Sequence, residues 1–272
     1  MKGFDGKVAV ITGAGSGIGR ALACELAARG AQLAISDVDS ERVAETARRC
    51  EEQGTKARSY RLDVADRAAV RQHAAEVSDD FGGVNLMVNN AGVALVGTVA
   101  EMRDEDLDWI LGINFSGVLH GTRAFLPHLL ESGDGHLVNI SSVFGFIGVP
   151  TQSAYNAAKF GVRGFTESLA QEMRAEKRPV GVSCVHPGGI RTNIARDARG
   201  LRGEDQRDAA QLFDRIARTT PEGAARTIVR GVQRNRRRIL IGPDAYAIDL
   251  LFRLLGPAYQ PLVTLATKRG LL

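Results

Sequence analysis

Cysteine is scarce in this sequence, which has only three, at positions 24, 50 and 184, among 272 residues. Their wide spacing includes no C-x-x-C pair, so it indicates neither a disulfide framework nor a cysteine zinc site. The five histidines form no H-E-x-x-H motif and no close pair, which favours structural or surface positions over metal ligation. We therefore expect no metal, and a reducing compartment, the cytoplasm.

Long apolar runs are also missing. No such run approaches the roughly 18 residues of a transmembrane helix, and glycines near the start of the chain precede any long apolar core, so no secretory signal is expected. Neither sign of charge dominates, because the sequence has 35 basic and 31 acidic residues and a net charge of +4. The densest basic cluster, Arg234–Arg238, is typical of a solvated helix end. The sequence therefore predicts neither a membrane span nor a nucleic-acid partner.

Hydrophobic residues make up 44% of the chain and charged residues 24%, as in a soluble globular protein with a sizeable core. Short apolar runs alternate with amphipathic segments of helical periodicity. Continuous apolar runs are typical of parallel strands buried on both faces, so we predict an α/β, doubly wound Rossmann-type fold with a seven-stranded parallel sheet flanked by helices. The predicted strands are 7–12, 32–36, 57–64, 84–90, 136–142, 180–186 and 238–242, and the clearest helices are 20–29, 40–53, 66–81 and 105–131.

A single domain is expected for a chain of this length. We assign residues 1–242 to a dinucleotide-binding and catalytic domain, and we interpret residues 243–272 as a C-terminal helical extension of the same domain. Doubly wound sheets bind their ligands beyond the carboxyl ends of the strands, so the residues that follow each strand are the candidates for chemistry.

The turn after the first predicted strand, Thr12–Ala21, reads TGAGSGIGRA and is rich in glycine. Glycines let a backbone turn tightly and approach a pyrophosphate, while the helix that follows presents free N–H groups to the phosphates. The common G-x-G-x-x-G pattern fails because Ile18 occupies its third glycine position, and the pattern present is G-x-x-x-G-x-G through Gly13, Gly17 and Gly19. An ordinary strand–helix loop is the alternative, although the position between a strand and a helix favours phosphate binding.

Asp37 ends the second predicted strand, 18 positions after Gly19. In dinucleotide-binding folds an acid near this place accepts hydrogen bonds from the adenosine ribose and repels a 2′-phosphate. A helix-capping role suits Asp39 or Ser40 better, because both adjoin the start of the next helix. Asp37 therefore favours NAD over NADP as the cofactor.

Tyr155 and Lys159 lie four positions apart in the segment SAYNAAKFG, so a helix would place them on the same face. Such pairs are common, and for this pair alone a surface tyrosine beside a solvated lysine is the favoured explanation. Polar or small residues end the third and fourth strands, at Asp63 and Val64 and at 89–92, and each of these endings could be a turn.

Five features occur together in the order seen in the short-chain dehydrogenase/reductase family: TGAGSGIG, NNAG, Asn114, the spacing from Ser142 to Tyr155-x-x-x-Lys159, and HPGGIRT. The chain resembles the shorter, single-domain type of that family over about residues 5–242. The resemblance implies an NAD-dependent oxidoreductase that transfers a hydride between a secondary alcohol or ketone and nicotinamide. It also implies assembly as a homodimer or homotetramer.

The resemblance assigns catalysis to Asn114, Ser142, Tyr155 and Lys159. Tyr155 would remove the proton of the substrate hydroxyl, and Ser142 would hydrogen-bond the substrate oxygen. A phenol has a pKa of ~10, and lowering that pKa by about three units takes about 4 kcal/mol, which one cation at ~4 Å can supply. We expect Lys159 to be that cation, helped by the positive charge of the oxidised nicotinamide. Asn114 would hold a water in a proton relay behind the lysine, or else mark a helix kink after Gly112.

Ser141 is the rival of Ser142 for the catalytic role. Successive strand side chains point to opposite faces, so one of the two serines should face the site, and the family spacing selects Ser142. The resemblance further implies cofactor contacts from residues at the strand ends. These are Gly13, Ser16, Gly17, Ile18, Gly19, Asp37, Asp63, Val64, Asn90, Ala91, Gly92, Tyr155, Lys159, Pro187, Gly188, Ile190 and Thr192.

The loops after the fourth and fifth strands carry VALVG at 93–97 and VFGFIGVP at 143–150, whose apolar side chains predict a lipophilic substrate unless they pack internally. Residues 195–208 are polar and lack clear periodicity, so we expect a mobile lid over the substrate. Two alternatives to the dehydrogenase remain. One is a redox sensor that binds NAD with weak catalysis, and the other is a peripheral membrane-associated dehydrogenase of lipid alcohols.

The C-terminal extension is longer than the fold requires. Its apolar residues Ile248, Leu251, Phe252 and Leu255 recur at helical spacing and predict one apolar stripe on a helix that ends at Gly256. We expect the stripe to pack on a second subunit or to cover the substrate pocket. Peripheral attachment to a membrane is the alternative.

Overall fold

The computed structural model describes residues 1–200 and 217–268. Within these residues the strands are β1 (Val8–Thr12), β2 (Gln32–Asp37), β3 (Ala57–Arg61), β4 (Leu86–Asn89), β5 (Gly135–Ile140), β6 (Val180–Pro187) and β7 (Arg238–Ile241). They form a 7-stranded sheet in the order β3-β2-β1-β4-β5-β6-β7, and all of the strand pairs are parallel. The predicted doubly wound fold is confirmed.

Helices cover both faces of this sheet. Those described are α1 (Gly17–Ala27), α2 (Ser40–Glu51), α3 (Arg67–Phe81), α4 (Asp104–Leu111), α5 (Gly117–Glu131), α6 (Ser153–Ala175), α7 (Pro221–Gln233), α8 (Pro243–Leu255) and α9 (Gln260–Lys268). Asp39 caps α2 by accepting hydrogen bonds from the backbone N–H groups of Glu41 and Arg42. Its carboxylate satisfies donors that a helix start leaves unpaired, which confirms the capping role expected near this position.

The central strand β1 separates two apolar cores. All of its residues are buried. Ala9 and Ile11 belong to a core shared with α1, α2 and α7, whereas Val10 belongs to the opposite core, shared with α3, α5 and α6. Alternate strand residues point to opposite faces, so a strand covered by helices on both sides must be apolar throughout.

The strand order reverses at β1, which pairs with β2 on one side and with β4 on the other. Ligands of doubly wound sheets bind in the crevice outside such a switch point. A buried hydrogen-bonded ladder fixes the strands beside it. Asn89 donates to Asn139 at 2.8 Å, and Asn139 donates to Thr166 of α6 at 3.0 Å. The ends of β4 and β5 are thereby tied to the helix that carries Tyr155.

Two predicted elements differ from the structure. The third strand ends at Arg61 rather than at residue 64, because its partner β2 ends at Asp37, which lies opposite Arg61 in the ladder. The predicted helix 105–131 is divided into α4 and α5 by a π-helical turn, Gly112–Ser116. Such turns insert one residue into a helix and are frequent at functional sites.

The apolar stripe of α8 is covered by the chain itself. Ile248, Leu251 and Phe252 pack against a buried cluster of five side chains, which are Phe146, Ile147, Val149, Tyr259 and Val263. Leu255, the fourth predicted member of the stripe, is 37% exposed. Across the described residues, no helix combines the length and apolar character needed to cross a bilayer.

Candidate active site

The glycine-rich turn between β1 and α1 requires glycine for steric reasons. Gly13 and Gly17 have φ angles of +65° and +53°, in the left-handed region that glycine adopts most readily. A Cβ at Gly13 would lie 2.7 Å from Cα of Ala91, and a Cβ at Gly19 would lie 2.2 Å from the carbonyl oxygen of Gly13. The predicted glycines therefore let the turn close against the segment after β4. Ile18 packs against the core beneath the turn.

Asn90 locks the turn to the end of β4. Its side-chain amide donates to the carbonyl oxygens of Thr12 at 2.9 Å and Gly13 at 3.1 Å. The Thr12 hydroxyl in turn accepts from the backbone N–H groups of Asn90 and Ala91, both at 3.1 Å. Thr12 was not among the predicted site residues, although it lies in the quoted motif. Its role depends on contacts with a distant segment.

Asp37 places its carboxylate against the same turn. The carboxylate accepts from the backbone N–H of Gly15 at 2.9 Å and from that of Asp39 at 3.0 Å. The nearby guanidinium of Arg42 is paired with Asp39 at 3.1 Å. A negative charge is thus fixed beside the turn, where the sequence predicts the adenosine ribose. Ser16 precedes α1 at the other side of this turn, in an extended conformation.

The two predicted residues of the loop after β3, Asp63 and Val64, differ in exposure. Asp63 is exposed, and its side chain accepts from the backbone N–H of Ala65 at 2.9 Å. Val64 is buried, and a Cβ at Gly117 would lie 2.7 Å from its Cγ2. The two neighbours therefore face different surroundings, with Val64 packed on the start of α5.

The adjacent serines after β5 have different partners. Ser141 donates to the carbonyl oxygen of Lys159 at 2.8 Å and is buried between the strand and α6. The Ser142 hydroxyl accepts from the backbone N–H of Phe144 at 3.1 Å and interacts with the Tyr155 phenol. The structure therefore brings Ser142 to Tyr155, while Ser141 supports the helix backbone.

Tyr155 and Lys159 share one face of α6. The Lys159 ammonium lies 5.6 Å from the centroid of the Tyr155 ring and donates to the carbonyl oxygen of Ile140 at 3.1 Å. Burial lowers the pKa of Lys159 to about 8, because a charged ammonium is costly away from water. A surface pair of solvated side chains does not describe these residues.

The pKa of Tyr155 in the protein alone is governed by burial and by Ser142. Burial raises the pKa of the phenol, and interaction with Ser142 opposes that rise only in part. The ammonium of Lys159 stands beside the ring and donates to the Ile140 carbonyl, and burial lowers its own pKa. The acidification expected of Lys159 together with an oxidised nicotinamide stays a prediction.

Asn114 lies in the π-helical turn and is fully buried. Its side chain accepts from the N–H of Val93 and donates to the carbonyl oxygen of the same residue, both at 2.8 Å. A Cβ at Gly92 would lie 3.3 Å from Oδ1 of Asn114 and 3.5 Å from Nζ of Lys159. Asn114 and Lys159 therefore lie on the same side of Gly92. The helix irregularity that the sequence offers as the alternative is present at Asn114, while the water relay stays a prediction.

The loop after β6 closes the other side of the crevice. Pro187 ends the strand, and Gly188 donates from its N–H to the carbonyl oxygen of Ile241 at 2.9 Å. Ile190 is buried. A Cβ at Gly17 would lie 3.1 Å from Cγ2 of Thr192, so this loop lies against the glycine-rich turn.

A residue of the C-terminal extension holds that loop. The carboxylate of Asp244, in the first turn of α8, accepts from the backbone N–H of Gly189 at 2.6 Å. A Cβ at Gly188 would lie 2.0 Å from the same carboxylate, so a side chain there would displace Asp244. Sequence reasoning missed Asp244, because no local motif links it to a loop more than fifty positions earlier.

The wall of the crevice beside Tyr155 is formed by the loops after β4 and β5. The Phe144 ring lies edge-on to the Tyr155 ring with centroids 6.2 Å apart, and Val93 packs in the same apolar cluster as Tyr155. Leu95, Phe146, Ile147 and Val149 are buried instead. The predicted apolar lining is thus divided between a part near the tyrosine and a part that packs internally.

Hydrogen bonds join these loops to one another. The N–H of Val96 donates to the carbonyl oxygen of Arg199, and that of Gly97 donates to the carbonyl oxygen of Thr151, both at 2.9 Å. The Asn156 amide holds the loop after β5 by donating to the carbonyl oxygens of Phe144 and residue 147 at 2.7 and 2.8 Å. Of the predicted lid at 195–208, residues 201–208 lie outside the described part of the chain.

Three features fit a bound dinucleotide. They are a turn in which only glycine avoids clashes, a carboxylate beside that turn, and a loop that lies against it.

Comparison with known proteins also indicates a dehydrogenase. Residues 7–201 match the family described as short chain dehydrogenase. A Mycobacterium tuberculosis protein named as an oxidoreductase, SadH, is 54% identical over 264 residues, which are 97% of this chain and 96% of that protein.

Two solved structures show the same architecture with different cofactors. A short chain dehydrogenase/reductase from Burkholderia phymatum in complex with NAD is 33% identical, with a TM-score of 0.87 over 96% of this chain and 97% of that one. A metagenomic short-chain oxidoreductase in complex with NADP is 29% identical, with a TM-score of 0.72 over 88% of this chain and 97% of that one.

Proposed function

The chain belongs to the short-chain dehydrogenase/reductase family, and on that premise we propose that it is an NAD-dependent oxidoreductase that interconverts a lipophilic secondary alcohol and its ketone. The observation that carries this proposal is the convergence of Ser142 on Tyr155 and of Asn114 on Lys159 at the end of the sheet. Enzymes of the family use a nicotinamide cofactor, which supplies hydride transfer and, when oxidised, a positive charge.

The side chains divide the proton chemistry between them. Ser142 hydrogen-bonds the substrate oxygen and orients it toward Tyr155. The Tyr155 phenolate takes the hydroxyl proton during oxidation, and the phenol returns it during reduction. Lys159 lowers the cost of the phenolate once further positive charge is present. Asn114, held rigid by the Val93 backbone, positions the water through which the lysine exchanges its proton.

The preference for NAD rests on Asp37. Its carboxylate is anchored on Gly15 and Asp39, so it cannot move away from a 2′-phosphate without losing those bonds. Arg42 also lies near Gly15, and its guanidinium is paired with Asp39. Repulsion of this kind supports NAD, although relatives with either cofactor are known.

The apolar substrate class rests on Phe144 and Val93, which lie next to Tyr155. The test is a screen of secondary alcohols of graded chain length and polarity, with NAD or NADP, followed by growth of the reduced-cofactor absorbance. We expect activity that rises with apolar size and depends on NAD. Binding of NAD without turnover of any alcohol or ketone would instead favour the redox sensor, and equal rates for short polyols would remove the lipophilic class.

Assembly as a homodimer or homotetramer is a further part of this proposal. With one face of α8 covered internally, Leu250 and Leu254 on its other face are 58% and 74% exposed, and Leu262 and Leu265 of α9 are 49% and 46% exposed. Symmetric association would bury such a surface. Sedimentation of a Leu250→Glu, Leu254→Glu double variant is expected to show a smaller species. An unchanged species, with binding of the parent protein to liposomes, would favour membrane attachment.

A further inference from the structure

Cys24 and Cys50 are 26 positions apart in sequence, yet Cys24 of α1 packs against the buried cluster that contains Cys50 of α2, and the two thiols shift the pKa of one another. The helices are joined one turn earlier by a hydrogen bond of 3.0 Å from Nε of Arg20 to the hydroxyl of Thr46. Cys24 follows Arg20 by four residues, and Cys50 follows Thr46 by four. The thiols therefore form the next rung between two helices that run in the same direction.

The two thiols have unequal surroundings. Cys24 is partly exposed and lines a cleft of about 380 Å³, which it shares with Arg49 and Arg226. A hydrogen bond from Cys50 lowers the pKa of the Cys24 thiol, and Arg49 lowers it further. Cys50 is fully buried, and the same hydrogen bond together with burial raises its pKa. One sulfur is thus an accessible thiolate, and the other is a protected thiol directly behind it.

We propose that Cys24 and Cys50 are an oxidation-sensitive thiol pair, in which a small peroxide entering the cleft converts them to an intramolecular disulfide that weakens cofactor binding. The Cys24 thiolate attacks the O–O bond of hydrogen peroxide, and an S–O bond forms as hydroxide leaves and takes up a proton. Cys50 then loses its proton, and its sulfur attacks that of Cys24, which breaks the S–O bond and releases water. Two thiols are oxidised, and one peroxide is reduced to two waters.

The hydrogen bond between Arg20 and Thr46 connects the cysteine pair to the proposed cofactor site. The Thr46 hydroxyl donates to the carbonyl oxygen of Ala14 at 2.9 Å, and Arg20 donates to that of Gly15, so this rung supports the glycine-rich turn. A disulfide holds its sulfurs at about 2.05 Å, well inside the contact distance of two thiols. We expect its closure to draw α1 and α2 together, and the Arg20–Thr46 hydrogen bond to transmit that shift to the turn.

The first experiment counts thiols in the full-length protein before and after brief treatment with hydrogen peroxide. We expect two of the three thiols to disappear with the loss of two hydrogens in the intact mass, and a reductant to restore both. Peptide mapping should show residues 24 and 50 joined. Cys184→Ser is the matched control and should behave like the parent, because Cys184 is buried and its pKa is raised by that burial. Three unreacted thiols, or a link that includes Cys184, would overturn the pair.

The Cys50→Ser variant separates the two chemical steps. It should accumulate sulfenic acid on Cys24, trapped by a 1,3-dicarbonyl reagent, with no disulfide formed. Absence of the trapped adduct would refute Cys24 as the attacking thiolate. The effect on cofactor binding is measured by titrating NAD into reduced and oxidised parent protein, where we expect the Kd to rise about fivefold on oxidation. An equal Kd in both forms would overturn the link to the turn, and neither readout requires that the enzyme turn over a substrate.

Discussion

The carboxylate of Asp244 accepts a hydrogen bond of 2.6 Å from the backbone N–H of Gly189, so the first turn of α8 holds the loop that follows β6. That loop also carries Thr192, which lies against Gly17 of the glycine-rich turn. The C-terminal extension is therefore connected to the cofactor side of the crevice as well as to the substrate side.

Replacing Asp244 by alanine should weaken NAD binding about tenfold, because the Gly189 N–H loses its acceptor and the loop its position. Calorimetric titration of NAD measures the change. Tyr246→Ala is the matched control on the same helix, since Tyr246 is 56% exposed. Equal affinity of the Asp244 variant and the parent would show that the loop is placed by its other contacts.

Tyr155→Phe should reduce turnover by about a thousandfold or more while leaving the Kd for NAD nearly unchanged, because the ring remains and only the proton acceptor is lost. Steady-state rates and a binding titration on the same preparation separate the two effects. Substantial activity in the variant would assign the proton transfer to another group.

The adjacent serines offer a matched pair of variants. Ser142→Ala should lower kcat about a hundredfold with little change in stability, since its hydroxyl serves the substrate and Tyr155. Ser141→Ala should instead lower the free energy of unfolding by about 1 kcal/mol, through loss of its bond to the Lys159 carbonyl, and leave kcat nearly intact. The reverse pattern would exchange the roles of the two residues.

Asp37→Ala should narrow the preference for NAD over NADP, which we expect to be at least about tenfold in kcat/KM in the parent. Asp66→Ala, which removes the cap of α3 away from the turn, is the control: it should cost about 1 kcal/mol of stability and leave the preference in place. Measuring kcat/KM with NAD and with NADP gives the preference of each variant. An unchanged ratio in the Asp37 variant would mean that another residue sets it.

His73 should make the protein sensitive to acid. Its ring lies between Tyr60 and Phe125, and burial lowers its pKa from 6.5 to about 4. Between these values the unfolded chain binds a proton that the folded protein does not, so stability falls as pH falls from about 6.5 to 4, by about 3 kcal/mol for this group.

His73→Leu should remove that contribution, which urea unfolding at pH 7 and pH 4 would measure as a smaller loss of stability in the variant. His128→Leu is the control, because His128 lies near the surface beside Glu131. The same loss of stability in the His73 variant and the parent would place the acid sensitivity at other buried groups.

Much of the fold followed from local pattern. The runs that became β1 and β5 are apolar because helices cover both faces of the sheet, and this requirement leaves a continuous signature in sequence. Gly13 and Gly19 can be identified from the sequence by the glycine-rich motif. The motif exists because no side chain fits at these two positions. The choice of Ser142 over Ser141 rests on side-chain alternation and the family spacing, and in the structure Ser142 interacts with Tyr155 whereas Ser141 donates to the Lys159 carbonyl.

By itself, then, the sequence determined the strands, most of the helices, the positions that must be glycine and the identity of the family, because each of these depends on neighbours along the chain. Only the tertiary structure decided the pKa direction of Tyr155, the bond from Gly189 to Asp244 and the meeting of Cys24 with Cys50. Those depend on burial and on distances between segments far apart in the chain. No local periodicity encodes such distances, since they are set by how helices and strands pack in the folded protein.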